Sequence, residues 1–544
     1  MFHYHERSKH ALDQYARGPG YLDWESQPDP FRRYAGAPLF SLDEVAVTAE
    51  PPYHALFAAD TIPPRALDNQ SIAQLLYDSL ALSSWKAFSH HQWSLRVNPS
   101  SGNLHPTEGY LLAPAIEGLH EQPACYHYAP FEHNLELRYA MALDDWDELT
   151  AGLPAATIFI GLTSIYWRES WKYGERAFRY CQHDVGHAIG TLTVAAAVLG
   201  WQTRLLDGLT DDELSIILGI QAQQGIEAEH SDCLLAIYPS GQAEPVHNQH
   251  RISSALLPRL AQLPLHGTAN RLSETHMLWP AIDTVAEATR RKTIHLFADD
   301  EKPVTPPNVP DAALLEGSPS ARDIIRRRRS AVDMDGQTSI SRAGFYTIVQ
   351  RLQAQSAPFT MLGWPPQIQL VFFVHRVENL MPGLYLLVRN EAERQNMRET
   401  LRPEFVWQPA EGCPQGVDLI QLDVGSCVDD AWVIACNQRI AADGAFTISM
   451  LATFEAPLLQ RGAWFYRRLL WEAGLIGQLL YLEAEAQDLQ GTGIGCFFDD
   501  LMHHLLGITD RRYQSLYHFA VGQAVHDDRL QTLPAYWHRA NGDV

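Results

Sequence analysis

The sequence predicts an α+β chain built from two similar halves, and three observations carry that prediction. The segment DDELSIILGI, Asp211 to Ile220, returns as DDLMHHLLGI, Asp499 to Ile508, an offset of 288 residues (211 to 499). The same offset sets Arg179 on Arg467, Asp184 on Glu472 and Gly186 on Gly474, so one register holds from Arg467 to Ile508. Around each copy the predicted elements follow one order: a long helix, a turn, a short helix with an acidic start, then a strand.

Each element has its own signal. In the first copy the long helix carries Phe178, Val185, Leu192 and Leu199 at helical spacing, and the strand is CLLAIYPSG from Cys233. In the second the helix carries Leu469, Ala473, Ile476 and Leu480, and the strand is LYHFAVGQA from Leu516. Gly186 and Gly190 lie one turn apart and suit the close approach of another helix. Leu278, Ile282, Val285 and Ala288 predict a helix within Ala269 to Lys292 that wraps one half onto the other. Beyond it, Lys302 to Asp323 holds Pro303, Pro306, Pro307, Pro310 and Pro319 without periodicity and reads as a linker, with the boundary near residue 315. The expected division is an N-terminal extension over 1–50 that folds over the first half, a first domain over 51–250, a connecting helix and Pro-rich linker over 251–322, and a second domain over 323–544.

Composition bounds the function. A chain of 544 residues exceeds one ordinary core, in keeping with two domains. A net charge of -23 argues against nucleic acid or an anionic membrane as partner. The opening MFHYHERSKH has no apolar core after its basic residues, so a secretory signal is not expected, and no apolar run approaches the roughly 20 residues a membrane span needs. Seven cysteines are scattered without a CxxC, as expected of reduced thiols in a cytoplasmic protein.

The chemistry concentrates in RVNPSSGNLHPTEGYLL, Arg96 to Leu112, and WRESWKYGERAFRYCQHDVGHAIGTL, Trp167 to Leu192. A Pro-Ser-Ser-Gly-Asn turn offers hydroxyls, an amide and free backbone N–H groups before an apolar run, which suits a polar planar cofactor held against a sheet. Together these words resemble the nitroreductase superfamily of FMN enzymes, and more narrowly its SagB-type branch, the flavin dehydrogenases of thiazole/oxazole-modified peptide biosynthesis. The opening YHERSKH is similar to SagB-type N-termini as well.

The resemblance implies a nitroreductase-like FMN fold duplicated in one chain as an intramolecular pseudodimer, with higher oligomers left open. In that family FMN lies between subunits, gripped by an Arg-Arg-Ser element from one and the Pro-Ser-Ser-x-Asn loop from the other. Here the first appears once, as Arg328, Arg329 and Ser330, and the second once, as Pro99, Ser100, Ser101, Gly102 and Asn103, after Arg96. The first half reads FAADTIPPR (57–65) where Arg-Arg-Ser would stand, and the second reads SAPFTMLGWPP where the loop would stand. Each half thus holds one part of a single FMN site. GTGIGCFF, through Ile494, Gly495 and Cys496, resembles the glycine turn beside the isoalloxazine, and Arg529 stands where a C-terminal basic residue meets the phosphate. Within the four-Arg run, helical rotation favours Arg328 and Arg329 over Arg326 and Arg327 as phosphate ligands.

Lys172 and Tyr173 match the catalytic Lys-Tyr pair of SagB-type dehydrogenases. Burial can lower a lysine's pKa and a nearby ammonium can favour tyrosinate, so the pair could supply the base that removes a proton while a neighbouring carbon loses hydride. His183 and His187, one turn apart near Cys181, also suit two ligands of zinc, but Asp184 stands where a zincin has Glu and no third ligand is evident, so no metal is expected. His90, His91, Trp85 and Trp93 are compatible with either packing or the substrate side. The implied activity is FMN-dependent dehydrogenation or oxidation of a heterocyclic or amino-acid- or peptide-derived substrate, alongside biosynthetic partner enzymes. An NAD(P)H-dependent reductase of nitro or quinone compounds and a non-catalytic flavin- or peptide-binding scaffold are the alternatives.

Overall fold

The computed structural model describes residues 1–58, 61–241, 247–295, 297 and 318–541. The proposed boundary near 315 and the linker from Lys302 to Gly317 lie outside these residues. Two seven-stranded antiparallel sheets organise the chain. The first contains β1 (Leu39–Ser41), β2 (Thr107–Ala113), β3 (Ala124–Ala129), β4 (Asn134–Ala140), β5 (Ile158–Ser164), β6 (Trp201–Leu206) and β7 (His230–Pro239), in the order β1-β4-β3-β2-β5-β7-β6. The second contains β8 (Ile368–Val374), β9 (Gly383–Leu387), β10 (Gln408–Pro409), β11 (Leu419–Val424), β12 (Phe446–Thr453), β13 (Gln490–Ile494) and β14 (Tyr513–Gly522), in the order β10-β11-β9-β8-β12-β14-β13. Six strands therefore keep one relative order in both sheets, and only the outer edge strands β1 and β10 come from different points of the chain.

The helices that build the site are α1 (Tyr166–Tyr173), α2 (Ala177–Val198), α3 (Asp211–Ile217), α4 (Ala321–Arg327), α5 (Glu455–Arg461), α6 (Phe465–Ala486) and α7 (Asp499–Leu506). Both long helices, α2 and α6, have 22 residues and begin and end 288 residues apart. Nearly every residue of either is buried, as expected of a helix packed on all sides. They cross where Gly186 meets Gly474: a Cβ on Gly186 would stand 2.8 Å from the Gly474 Cα. The flanking ion pairs are reciprocal. Arg179 on α2 donates to Asp499 at the start of α7 (2.7 Å), and Arg467 on α6 donates to Asp211 at the start of α3 (2.6 and 2.7 Å).

Alternation along the strands assigns two faces. Leu111 and Ala113 of β2 and Leu370, Phe372 and Val374 of β8 enter one apolar core that also takes residues of α2 and α6. Tyr110 and Leu112 face an outer core of the first half, and Val371 and Phe373 one of the second. Among the described residues no helix is long and apolar enough to cross a membrane, and all seven cysteines are free.

Three sequence expectations need correction. Between each long helix and its acidic-start helix the chain forms an edge strand, β6 or β13, rather than a turn alone, so GTGI belongs to a strand. The helix expected within Ala269 to Lys292 spans only Pro280–Ala288, because Thr268 and Ala269 pair with Ala35 and Tyr34 and Leu278 is exposed. The N-terminal extension reaches both halves: His5 lies 3.1 Å from both Tyr466 Oη and Gln514 Oε1, and Lys9 pairs with Asp500 at 2.9 Å.

Candidate functional site

The hairpin Leu82–Phe88/His91–Arg96 delivers the chain to the Pro-Ser-Ser-Gly-Asn turn; Gln531–Leu533 from the second half joins its outer edge. Trp85 is buried and donates to Ala535 O, whereas His90 and His91 are exposed. After buried Pro99, Gly102, Asn103 and His105 all take positive φ (59°, 60° and 51°), which coils the backbone tightly. Ser100 Oγ accepts from His105 N (2.8 Å), and Asn103 spans from Ser94 O (2.9 Å) to His105 Nε2 (2.8 Å). Asp184 on α2 fixes the turn by accepting from Ser101 N and Oγ, both at 3.1 Å.

Lys172 and Tyr173 close on the same turn. A Cβ on Gly102 would lie 2.5 Å from Tyr173 Oη and 3.1 Å from Lys172 Nζ, so only glycine leaves both groups room. Helix α1 stops at this point because Gly174 turns to φ 53°, where a Cβ would lie 2.7 Å from Gly18 Cα.

The second half supplies the opposite wall. Arg328, just past α4, is buried and donates from Nε to Val97 O and from Nη2 to Arg96 O, each 3.2 Å; its Nη1 is buried without a partner. Arg329 donates to Arg326 O (2.9 Å), Arg328 O (2.6 Å) and Ser83 O (3.3 Å). Ser330 Oγ and Tyr481 Oη share a hydrogen bond of 2.8 Å, and Tyr481 Oη accepts from Gly493 N at 3.0 Å. Gly493 lies against Tyr517 and Gly495 against Tyr180, where a Cβ would come within 2.7 Å of Tyr517 Cζ and 3.1 Å of Tyr180 Cδ1. His183 stacks on Tyr517 (4.4 Å between centroids), and His187 Nε2 lies 3.1 Å from Tyr517 Oη. The two histidines thus serve one tyrosine, although both ring nitrogens of His183 are buried without a hydrogen-bond partner.

Burial sets the electrostatics. Glu169 on α1 is fully buried, has no ion pair among the described residues, and is pushed well above the usual carboxylate range by burial and then by Asp184. Burial raises Asp184 to about 7 against the pull of its hydrogen bonds from Ser100 and Ser101. Tyr173 is pushed up by burial, Glu169, Tyr180 and Asp184. The tyrosinate expectation is thereby corrected: near neutral pH Tyr173 is a phenol, because burial and then Glu169 disfavour its charged form. Arg329 is drawn down to about 9 by burial and then by Arg328 and Arg326, and Lys86 on the hairpin is lowered by burial and by Arg329. Among the described residues Lys86, Arg328 and Arg329 make no ion pair, although Glu485 lies near enough to favour the charge on both arginines.

Sequence reasoning placed some residues differently. Arg529 is exposed and held by Asp527 (2.7 and 2.8 Å) over Phe88, so the phosphate role expected of it is not supported; a local ion pair in its own turn occupies its donors. Arg96 brings its carbonyl to Arg328, but its guanidinium turns to Pro30 O and the Phe31 ring and is lowered by burial to about 10. Arg326 is no solvated arginine: it donates to Tyr77 O and Leu82 O and lies over the Tyr77 ring. Ile494 packs into the outer core of the second half. Cys496 O accepts from Gln438 (2.9 Å), while its thiol is drawn below the usual range by hydrogen bonding with Cys436, and further by His10 and Arg176. Glu169, Asp184, Tyr481, Tyr517 and Lys86 were missed as site residues.

The place related by the 288-residue offset is built differently. Glu472, opposite number of Asp184, accepts from Gln367 N (3.0 Å) and Trp364 Nε1 (3.4 Å) and pairs with Arg389 (2.6 Å). Arg468, at the register of Tyr180, donates to Asp207 (2.6 Å) and lies over Trp471, at the register of His183. Asn248 closes the gap with bonds to Leu205 O (2.7 Å) and Met361 O (2.8 Å).

Comparison with known proteins bears on the fold. Residues 376–523, which run from the end of β8 through β14, match the model of the nitroreductase family. A candidate nitroreductase of Methanocaldococcus jannaschii is 29% identical over 129 residues, 23% of this chain; the match spans 63% of that relative's length. The crystal structure of a candidate nitroreductase from Anabaena variabilis is similar across 96% of this chain and 99% of its own, with a TM-score of 0.67 and 20% identity, so both halves share its fold. A candidate nitroreductase from Ralstonia eutropha covers 41% of this chain with 97% of its own, at 14% identity and a TM-score of 0.29.

Proposed function

We propose that this chain is an FMN-dependent oxidoreductase with one FMN held between its halves, a duplicated single-chain pseudodimer of SagB-type dehydrogenase character. The observation that carries the reading is the meeting of Lys172, Tyr173 and Arg328 around one turn: the first two at Gly102, the third on the carbonyls of Arg96 and Val97. The residues fit the cofactor, since Arg328 Nη1 is a buried guanidinium donor without a partner and Lys86 and Arg329 add positive charge beside it, as an FMN phosphate requires. Bound FMN would supply hydride acceptance. Ser101 and Asn103 would line it from the first half, and Ser330 and the Gly493–Gly495 backbone from the second.

This chain's own groups then handle the proton. Tyr173, kept as a phenol, donates a hydrogen bond toward the substrate, and Lys172 at the same glycine accepts the proton taken from the substrate carbon. Asp184, raised to about 7, holds the turn and can exchange a proton near neutrality. The substrate class is a heterocycle or an amino-acid- or peptide-derived small molecule, and the setting is cytoplasmic. A single FMN is favoured because Trp364, Trp471, Arg468 and Asn248 fill the place related by the offset.

Flavin released by denaturation tests the reading directly: one FMN per chain is expected, and either no flavin or two per chain overturns it. Bleaching by NADPH alone would replace dehydrogenation with reduction of nitro or quinone compounds. Colour stable in NADPH and lost on adding an azoline substrate supports the dehydrogenase.

A further inference from the structure

A cleft of about 260 Å³ opens on the side of the helix pair where the offset relates it to the phosphate end of the flavin site. Thr193 and Ala197 of α2 line it at the registers of Tyr481 and Glu485, and Gln202 to Arg204 of β6 at those of Gln490 to Thr492. The segment before β8 closes another side, as the Pro-Ser-Ser-Gly-Asn turn does before β2. Small residues leave open here what Tyr481 fills in the other site.

Its lining sorts into two chemistries. Phe57, Ile62, Trp201 and Met361 make an apolar wall. Arg204 lies at the polar end; it donates to Thr360 O, has no carboxylate partner among the described residues, and keeps Nε buried without a hydrogen bond. A guanidinium without a counter-ion among the described residues gives the cleft a cationic end, which suits an anionic ligand. The volume falls below the roughly 300 Å³ at which pockets for drug-sized ligands begin, so the occupant is smaller than a flavin nucleotide.

We propose that this cleft binds a small carboxylate with a flat apolar body, its single charge on Arg204 and its body against Trp201 and Phe57. One cation matches one negative charge, which favours a carboxylate over a phosphate monoester. The proposal stands on the cleft itself and is independent of whether the other site holds FMN.

Calorimetric titration of the full chain with benzoate, benzamide and phenylphosphate tests it. Benzoate is expected to bind one site, and benzamide, the neutral isostere, roughly tenfold or more weaker, the usual worth of a charged hydrogen bond. Arg204→Gln should erase that preference, and Ala197→Phe, which fills the cleft from a different element, should abolish benzoate binding while leaving circular dichroism unchanged. Equal binding of benzoate and benzamide, tighter binding of phenylphosphate, benzoate binding intact in Ala197→Phe, or no benzoate binding up to about 10 mM overturns the assignment.

Discussion

Gly186 and Gly474 touch across the crossing of the two long helices: a Cβ on Gly474 would lie 2.9 Å from Gly186 Cα, and one on Gly186 2.8 Å from Gly474 Cα. Contact between equivalent residues is what a twofold, self-complementary interface produces, and the exchanged pairs Arg179–Asp499 and Arg467–Asp211 repeat the pattern outside the crossing. The crossing sets the site, because Tyr180, His183 and Asp184 are on one of these helices and Tyr481 is on the other.

Gly186→Ala should therefore destabilise, although alanine is the better helix former by about 1 kcal/mol. The added methyl meets the Trp471 backbone and Gly474 Cα, neither able to rotate away, and overpacking of this kind costs about 1–3 kcal/mol or more. Urea unfolding measures it. A midpoint equal to or above the parent's would show that the crossing has slack.

How much of this was legible depended on periodicity. The helix pair was legible because both runs are buried on every side and share a register, and the two glycines announced close approach. Strands β6 and β13 were not, since only Leu199 and Gly200 separate Trp201–Leu206 from the helix and GTGI carries too few side chains to show alternation. Lys172, Tyr173 and Ser101 were singled out by resemblance, and the structure sets them about Gly102 and Asp184. Glu169 and Asp184 were not: a carboxylate inside a helical pattern reads as solvent-facing until the partner half buries it. Arg529 was placed by resemblance, and its sequence position shows a basic residue but not its pairing with Asp527.

Arg328→Ala should lose FMN during gel filtration while Arg529→Ala keeps it. The first deletes a buried guanidinium that also ties Arg96 O and Val97 O to the second half, and hydrogen bonds to charged groups contribute about 1.5–3 kcal/mol each. The second deletes an exposed side chain held by Asp527 in its own turn and lying over the Phe88 ring. Flavin-to-protein absorbance ratios decide, and equal retention in the two variants would return Arg328 to a structural role.

Asp184→Asn should flatten the dependence of stability on pH between about 4 and 7. Burial raises the folded pKa from 3.8 to about 7, so in that window the folded chain holds a proton the unfolded chain has released. The contribution is full below the unfolded value and is lost as pH rises through 7, by up to about 1.4 kcal/mol per pH unit for one proton. Asparagine can still accept from Ser101 N and cannot titrate. Denaturant unfolding at several pH values should show a slope smaller by up to one proton; identical slopes would mean that the carboxyl is not held protonated.

Lys172→Ala and Tyr173→Phe should both leave FMN bound and slow substrate-driven flavin bleaching, by unequal amounts. Losing a positioned proton acceptor costs about 10² to 10⁴-fold. Losing a hydroxyl that only donates a hydrogen bond costs less, since burial beside Glu169 and Asp184 keeps Tyr173 a phenol. Lys172→Ala should accordingly be the more severe change. Single-turnover stopped-flow isolates the reductive step from binding, so a fall in its rate at saturating substrate assigns the loss to chemistry. If Tyr173→Phe were the slower enzyme, the phenol would be transferring the proton itself; rates of both variants within about threefold of the parent would move the search to Glu169 and Asp184, the raised carboxylates facing Ser100 behind the same turn.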